Sequence, residues 1–311
     1  MRRRGWISFG DCLVRTADVK DCIVVGGGPA GLTAALYLAR FLRSVAVVDA
    51  QEGRAGMIPA THNLAPFPDG ISGPDLLERM RSNAMRHGAA IEFGTVTAVE
   101  RLNDAFRVTT DLWSRTARSV ILATGVVNHR PPLSVMDHDR GLERGLIRYC
   151  PVCDAYEVRG RRIAVLGSGA HGFAEARFIR HFTSSVTLVP PDGGPDLARD
   201  GVGVLEAPMA ALALSDRSVI VTLDTGATHA FDTLYVALGT SPRSDLAARL
   251  GVRRAAGGCV MVDAKQETSV DGVHAIGDVT DGLDQIAVAM GQGAVAATAV
   301  HNDLPANDPP Q

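Results

Sequence analysis

Cysteine is scarce in this chain. The 311 residues hold five, Cys12, Cys22, Cys150, Cys153 and Cys259, an odd and scattered set that excludes the disulfide framework of a small secreted domain. The compartment expected from this usage is the cytoplasm, where thiols stay reduced unless a protein uses them. No run of about 18 apolar residues occurs, so no membrane-spanning helix is expected. Charge of one sign is not in excess: the net charge is −3, which gives no electrostatic ground for binding nucleic acid. The basic start Met1-Arg2-Arg3-Arg4 is followed by only a broken apolar stretch, so residues 1–19 read as a flexible extension rather than a targeting signal. A second C-x-x-C is absent too. A structural zinc site at Cys150 and Cys153 would need four ligands, and His138 or His171 would join only by accident, so no metal site is expected.

What is present is an ordinary globular balance, 46% apolar and 21% charged, on a chain long enough for about two domains. One unit occurs twice. "DCIVVGGGPAGLTAALYLARFLRSVAVVDA" begins at Asp21 and "RRIAVLGSGAHGFAEARFIRHFTSSVTLVP" at Arg161. Each reads as an apolar strand, a G-x-G-x-x-G turn, an amphipathic helix and a second β-branched strand. Gly26, Gly28 and Gly31 align at one constant offset with Gly167, Gly169 and Gly172. The first glycine of such a turn allows the chain to reverse, the second admits a pyrophosphate to the backbone, and the third lets helix and strand pack closely. The unpaired N–H groups at the helix start then face the phosphates. One such turn is a weak signal; two, each between strand and helix, predict two dinucleotide-binding βαβ units. A glycine-rich turn without a ligand stays the alternative, with more weight at the second copy.

The copies differ after the second strand. The first ends in Asp49, a carboxylate placed to accept hydrogen bonds from a ribose. The second ends in Pro190, followed by Pro191 and Asp192, with neither a carboxylate at the equivalent position nor an arginine cluster for a 2′-phosphate. "SVILATGVV" (Ser119–Val127) and "TLYVALGTSPR" (Thr233–Arg243) read as further strands with glycine endings. Near the end, Gly277-Asp278 follows an apolar strand, so that a carboxylate sits where ligands of such sheets bind; a helix cap is the alternative for Asp278. "RMRSNAMRHGAA" (Arg79–Ala90) reads as the solvated face of a helix. Cys22 and Cys259 read as small core residues beside apolar runs, and Cys12 as idle.

"RYCPVCDAYEVRG" (Arg148–Gly160) carries the remaining chemistry. A C-x-x-C disulfide closes a small ring that a thiolate opens readily, leaving one sulfur free and the other bound to its attacker. A purely structural disulfide would add little closure entropy across so short a loop. A redox pair is therefore expected. Asp154, the next residue, is a candidate proton carrier if burial holds its pKa up, with a helix cap as the alternative role. His62 and His138 are weaker candidates for bases, against ordinary surface or packing roles.

The order of these motifs resembles the low-molecular-weight thioredoxin reductase family of FAD-dependent pyridine nucleotide–disulfide oxidoreductases: G-x-G-x-x-G, A-T-G, C-x-x-C-D, a second G-x-G-x-x-G, then G-D with a downstream glutamine. The likeness runs from about Asp21 to Leu304. It implies an α/β chain with two Rossmann-like three-layer nucleotide-binding domains, the second inserted into the first. The implied boundaries are residues 20–126 for the first part of the FAD domain and 127–244 for the inserted NAD(P)H-type domain with the C-x-x-C. Residues 245–304 return to the FAD domain and 305–311 are a fraying tail. The resemblance further implies FAD cradled by Gly26, Gly28, Pro29, Ala30 and Gly31. Asp49 would hold the adenosine ribose and Asp278, beside Gly277, the ribityl–pyrophosphate stretch. Thr124, Gly125, Asn63 (from the loop Ala60–Gly73), Gln285 and Ile286 would border the flavin. NAD(P)H would lie on Gly167, Gly169 and Gly172. Val126–Asn128 and Ser241–Ser244 would be hinges for a swinging inserted domain. Cys153 would be the sulfur nearer the flavin and Cys150 the one that meets substrate. The implied assembly is a homodimer, and the implied partner a thioredoxin-like protein or a small thiol or disulfide.

Two departures bear on the electron partner. Pro190-Pro191-Asp192 stands where the family has a His-Arg-Arg that binds the NADPH phosphate, and Asp284 stands where it has an arginine. Two charge-assisted contacts, each worth about 1.5–3 kcal/mol, are missing. The leading expectation is a NAD(P)H-linked disulfide reductase, with NADH, NADPH or neither left open as donor. The alternatives are an oxygen-using dithiol oxidase of the natural-product type with a vestigial nicotinamide site, and a flavin-bound redox sensor without turnover.

Overall fold

The computed structural model describes residues 19–194 and 200–306. Cys12, the N-terminal extension and the tip of the C-terminal tail lie outside the described residues.

The first βαβ unit is β1 (Lys20–Val25), α1 (Pro29–Arg40) and β2 (Val45–Asp49), followed by α2 (Gly73–Arg86) and β3 (Ala90–Phe93). β4 (Val96–Arg101), β5 (Phe106–Thr110) and β6 (Ser114–Leu122) form an antiparallel meander, and β7 (Val126–Asn128) leaves this body. Next come α3 (Val135–Glu143), β8 (Ile147–Arg148) and α4 (Pro151–Asp154). The second unit is β9 (Ile163–Gly167), α5 (Gly169–Ile179) and β10 (Val186–Val189). β11 (Gly203–Val204), the meander β12 (Met209–Leu214), β13 (Val219–Leu223) and β14 (Thr228–Phe231), and β15 (Thr233–Ala237) follow. The chain returns through β16 (Thr240–Pro242) to α6 (Asp245–Arg249), β17 (Val273–Ala275) and α7 (Ile286–Asp303).

The strands sort into bodies that interrupt the sequence. Seven strands share the first sheet, in the order β3-β2-β1-β6-β5-β4, with β17 also on β6. One edge of β6 is divided: its N-terminal half pairs with β5 and its last three residues pair in parallel with β17. A strand from near the C-terminus thus completes a sheet begun at Lys20. The second sheet, β11-β10-β9-β15-β8, is wholly parallel and holds only residues between the two crossings. The architecture is two Rossmann-like domains, the second inserted into the first. The crossings themselves pair: β7 and β16 form a two-stranded antiparallel ribbon, Asn128 against Thr240 through Val126 against Pro242.

Strands β1, β2 and β9 are buried along nearly their whole length, as the unbroken apolar runs of a parallel sheet covered on both faces require. In the first domain Cys22 and Val24 pack with α1 and α7 on one side, and Ile23 and Val25 pack with β5, β6 and α6 on the other. α7 meets α1 through small residues, Ala289, Ala296 and Ala297 against Ala30, Ala34 and Ala35.

Two sequence readings need adjustment. The run Arg79–Ala90 is not one solvated helix face: α2 ends at Arg86, Ala84 is buried, and Ala90 opens β3. Cys22 is a core residue, but Cys259 is only half-buried and follows a turn, because Gly257-Gly258 interrupts the apolar run before it.

Candidate active site

A cavity of about 1020 Å³ opens between the two domains, large enough to admit a dinucleotide. The Gly26–Ala30 turn, Asp49, Asn63, Thr124, Gly125, Gly277, Asp278, Gln285 and Ile286 line one side, and Cys150, Cys153 and Asp154 the other. Residues scattered over the whole sequence thus meet around one space.

The glycine turn is fixed by contact. Gly26 has φ +113°, and a Cβ there would lie 2.2 Å from the Ala123 carbonyl oxygen. A Cβ on Gly31 would lie 2.0 Å from the Gly26 carbonyl oxygen. Gly31 therefore sits under the turn, in helix–strand packing, rather than on the cavity wall. Gly28 caps α1 with no side-chain hydrogen bond to its first N–H groups, which leaves them and the positive end of the helix dipole available to an anion. The buried Asp49 carboxylate accepts from the Gln51 amide at 3.0 Å and lies 3.6 Å from Arg81.

Asp278 lies on a short 3-10 turn after β17, and its carboxylate makes no cap. It accepts from Arg54 at 3.0 Å, and the same guanidinium nitrogen reaches Asp284 at 2.8 Å. Burial raises the Asp278 pKa and nearby Asp284 adds to the rise, with Arg54 opposing both. Arg54 thus brings positive charge beside position 284; it opens a single 3-10 turn, Arg54–Met57, too short to show a periodic pattern in the sequence.

Cys150 and Cys153 form a disulfide, with Cα atoms 5.2 Å apart. Cys150 is the N-cap of α4: its sulfur accepts from the Cys153 amide at 3.1 Å. Gln285, the residue before α7, donates its side-chain N–H to Cys150 Sγ at 3.4 Å and to Cys153 Sγ at 3.3 Å. Its carbonyl oxygen accepts from Asn63 at 3.0 Å, and Asn63 in turn accepts from the Thr61 hydroxyl at 2.8 Å. A polar chain therefore runs from Thr61 through Asn63 and Gln285 to both sulfurs.

Asp154 serves no cap either. Arg148 donates to it at 2.6 Å and the Tyr235 hydroxyl at 2.8 Å. Burial raises its pKa, and Arg148 and Tyr235 offset only part of that. Tyr235 comes from β15, inside the second sheet, and is fully buried, so Asp154 is held at both carboxylate oxygens, one by each donor. Arg148 and Tyr235 escaped the sequence reading; only their positions in β8 and β15, paired in register, reveal them.

The second turn is separate from this cavity. Gly167 ends β9, Gly169 opens α5 and Gly172 packs back on Gly167. Ser168 caps α5 without a side-chain bond, so the helix start is open as in the first copy. Pro190 is buried and Asp192 exposed. Glu175, on α5, is half-buried, 3.3 Å from His171, and burial pushes its carboxyl up to about 7. His138 is a packing residue, buried with its ring on the Tyr149 hydroxyl at 2.8 Å and Asp139 at 3.0 Å. His62 is exposed on the cavity rim.

The pyridine nucleotide-disulphide oxidoreductase family matches residues 20–193 and 195–293. The chain belongs to that family. Within it, the oxidoreductase is 32% identical over 312 residues to a thioredoxin reductase of Streptomyces coelicolor, covering 90% of this chain and 92% of that one. It is 30% identical over 298 residues to a thioredoxin reductase of Treponema pallidum, covering 90% and 95%. The crystal structure of thioredoxin reductase from Streptococcus pyogenes superposes with a TM-score of 0.84 at 28% identity, covering 92% of this chain and 98% of that one. The oxidoreductase is thus a thioredoxin reductase-like disulfide enzyme, of a family that uses flavin and pyridine nucleotide. Among the described residues, no helix is long and apolar enough to cross a membrane.

The residues present fit FAD. The uncapped α1 start, the turn in which neither Gly26 nor Gly31 has room for a Cβ while the space beside Gly28 is open, and two carboxylates on the wall of one large cavity suit a ribose, a pyrophosphate and a polyol chain.

Proposed function

We propose that this oxidoreductase passes electron pairs between NAD(P)H, FAD, the Cys150–Cys153 pair and an external disulfide, either on a thioredoxin-like protein or on a small molecule. The observation that carries the reading is the disulfide on the wall of the cavity that also holds the Gly26 turn and Asp278, with Gln285 touching both sulfurs. Gly26, Gly28, Pro29 and Ala30 would hold the FAD pyrophosphate, Asp49 and Asp278 its hydroxyls, and Asn63, Thr124, Gly125, Gln285 and Ile286 the ring. When bound, FAD supplies exchange of an electron pair with a nicotinamide on one hand and with a disulfide on the other.

The chain's own part is thiol–disulfide exchange. Two electrons and two protons convert the disulfide to two thiols. The Cys150 thiolate then attacks the external disulfide, whose S–S bond breaks and whose first sulfur leaves and takes a proton. Cys153 attacks Cys150 in the mixed disulfide, expels the second thiolate and restores the pair. Asp154, with its raised pKa, holds the proton that a leaving thiolate needs. Gln285 orients both sulfurs while donating to whichever carries negative charge.

A second reading has one observation behind it: Pro190-Pro191-Asp192 offers no cation to a nucleotide phosphate. In that reading the flow reverses, a small dithiol reduces the pair, and oxygen is the final acceptor. Anaerobic titration of the FAD-loaded protein separates the two. Bleaching by NADH or NADPH supports the reductase. Bleaching by a dithiol alone, with no response to either nicotinamide, overturns it. The family resemblance also supports a homodimer in the cytoplasm, which sedimentation and fractionation test.

A further inference from the structure

β17 carries a histidine into the interior. His274 is 2% exposed, and neither ring nitrogen has a hydrogen-bond partner among the described residues. Alternation along the strand sends Val273 and Ala275 to one core and leaves His274 on the side of Ile276 and α7. Two carboxylates converge on that side. Glu267 comes from the segment bridged to the outer edge of β17, where Thr268 N donates to Val273 O at 3.0 Å and Ala275 N to Gln266 O at 3.1 Å. Asp303 is the last residue of α7, whose end is held by Arg43 donating to the carbonyls of His301, Leu304 and Pro305. One ligand atom from each of Glu267, His274 and Asp303 lies within 4.8 Å of the other two.

Such an imidazole is costly to bury: it gives up its water and gains no partner. One imidazole nitrogen and two carboxylate oxygens form a donor set that a borderline divalent cation accepts, with water in the fourth position. We propose that Glu267, His274 and Asp303 bind a divalent cation of the zinc class, which clasps the end of α7 to the edge of the first sheet. Ligand oxygens and nitrogens at about 2.0–2.2 Å from one ion stand roughly 3.4 Å apart in a tetrahedron. Rotation of the exposed Asp303 side chain closes the observed spread. Burial lowers the His274 pKa, while Glu267, Asp303 and Asp263 oppose it and Lys265 adds to it. That lowering favours the neutral imidazole, the form a metal binds. The 18 residues of α7 separate the site from Gln285 by about 27 Å, so the ion would act on stability and not on the sulfur chemistry. Sequence spacing gives no sign of it, because the three ligands meet only through the strand bridge and the helix end.

The test uses full-length, FAD-loaded protein with its disulfide oxidised, stripped by chelator and then dialysed against Zn²⁺. The expected result is one zinc per chain above the level in Glu267→Gln/Asp303→Asn, with an apparent affinity at least tenfold higher. A rise in Tm of a few degrees on zinc addition is expected in the parent only. The double variant changes a half-buried and an exposed carboxylate to their isosteric amides and spares the buried ring, so an unchanged flavin spectrum is the expected control. Equal zinc content and equal Tm response in parent and variant would overturn the proposal.

Discussion

The side-chain amide of Gln285 donates to both sulfurs of the Cys150–Cys153 disulfide, at 3.4 and 3.3 Å, while its carbonyl oxygen is held by Asn63. An amide fixed at its acceptor end has only one way to point its N–H. Gln285→Leu removes that donor and leaves the Asn63 amide unmatched. A hydrogen bond to a charged sulfur is worth about 1.5 kcal/mol, so thiol–disulfide exchange should slow about tenfold. Rapid-mixing reduction by a dithiol measures this, with bound flavin retained as the control.

Asp154 gives a distinct signature. Asp154→Asn keeps an acceptor for Tyr235 but removes the ionisable group beside Arg148. Turnover should fall about 10²- to 10⁴-fold. Because burial raises this pKa, the parent loses its proton donor as pH climbs past that raised value. The pH–rate profile of the parent should therefore show an alkaline limb that the variant lacks.

Arg54 bridges two carboxylates with one charge. Arg54→Met should leave Asp278 and Asp284 facing each other and any bound pyrophosphate, weakening FAD retention about tenfold or more on dialysis. Adding Asp284→Asn removes one of the two charges and should restore most of the loss. A double-mutant cycle on the FAD dissociation constant reads the coupling.

Glu175 predicts a pH-dependent stability. Its folded pKa is raised to about 7 by burial, above that of the unfolded chain. Between the two values the folded protein binds more protons, so stability falls as pH rises through this window. The full shift corresponds to about 3 kcal/mol. With the carboxylate partly exposed and His171 beside it, about 1–2 kcal/mol remains after solvent screening. Glu175→Gln should match the parent near pH 4 and exceed it by that amount at pH 8, in urea unfolding.

Most of the architecture was legible because the sequence repeats it. The doubled glycine turn marks each βαβ unit, and Asp49 and Asp278 follow apolar strands that end at the ligand edge of the sheet. The C-x-x-C also announced its own chemistry. What escaped were partners fixed only by long-range pairing. Arg148 and Tyr235 meet Asp154 through parallel strands of the second sheet. Arg54 opens a single 3-10 turn too short to show periodicity, and His274 looks like any strand residue until its two nitrogens prove unpartnered. The helix-cap alternatives for Asp154 and Asp278 failed for the same reason: local rules cannot see a distant arginine.

The ribbon of β7 and β16 sets Asn128 directly across from Thr240. Antiparallel neighbours lie about 5 Å apart, a gap that a two-residue turn spans. Residues 129–239 leave and return at one point of this ribbon, so excising them should leave the first sheet's strand pairing intact. A chain with an Asn-Gly turn in their place would close as a plain hairpin, and the flavin half should fold as an independent module.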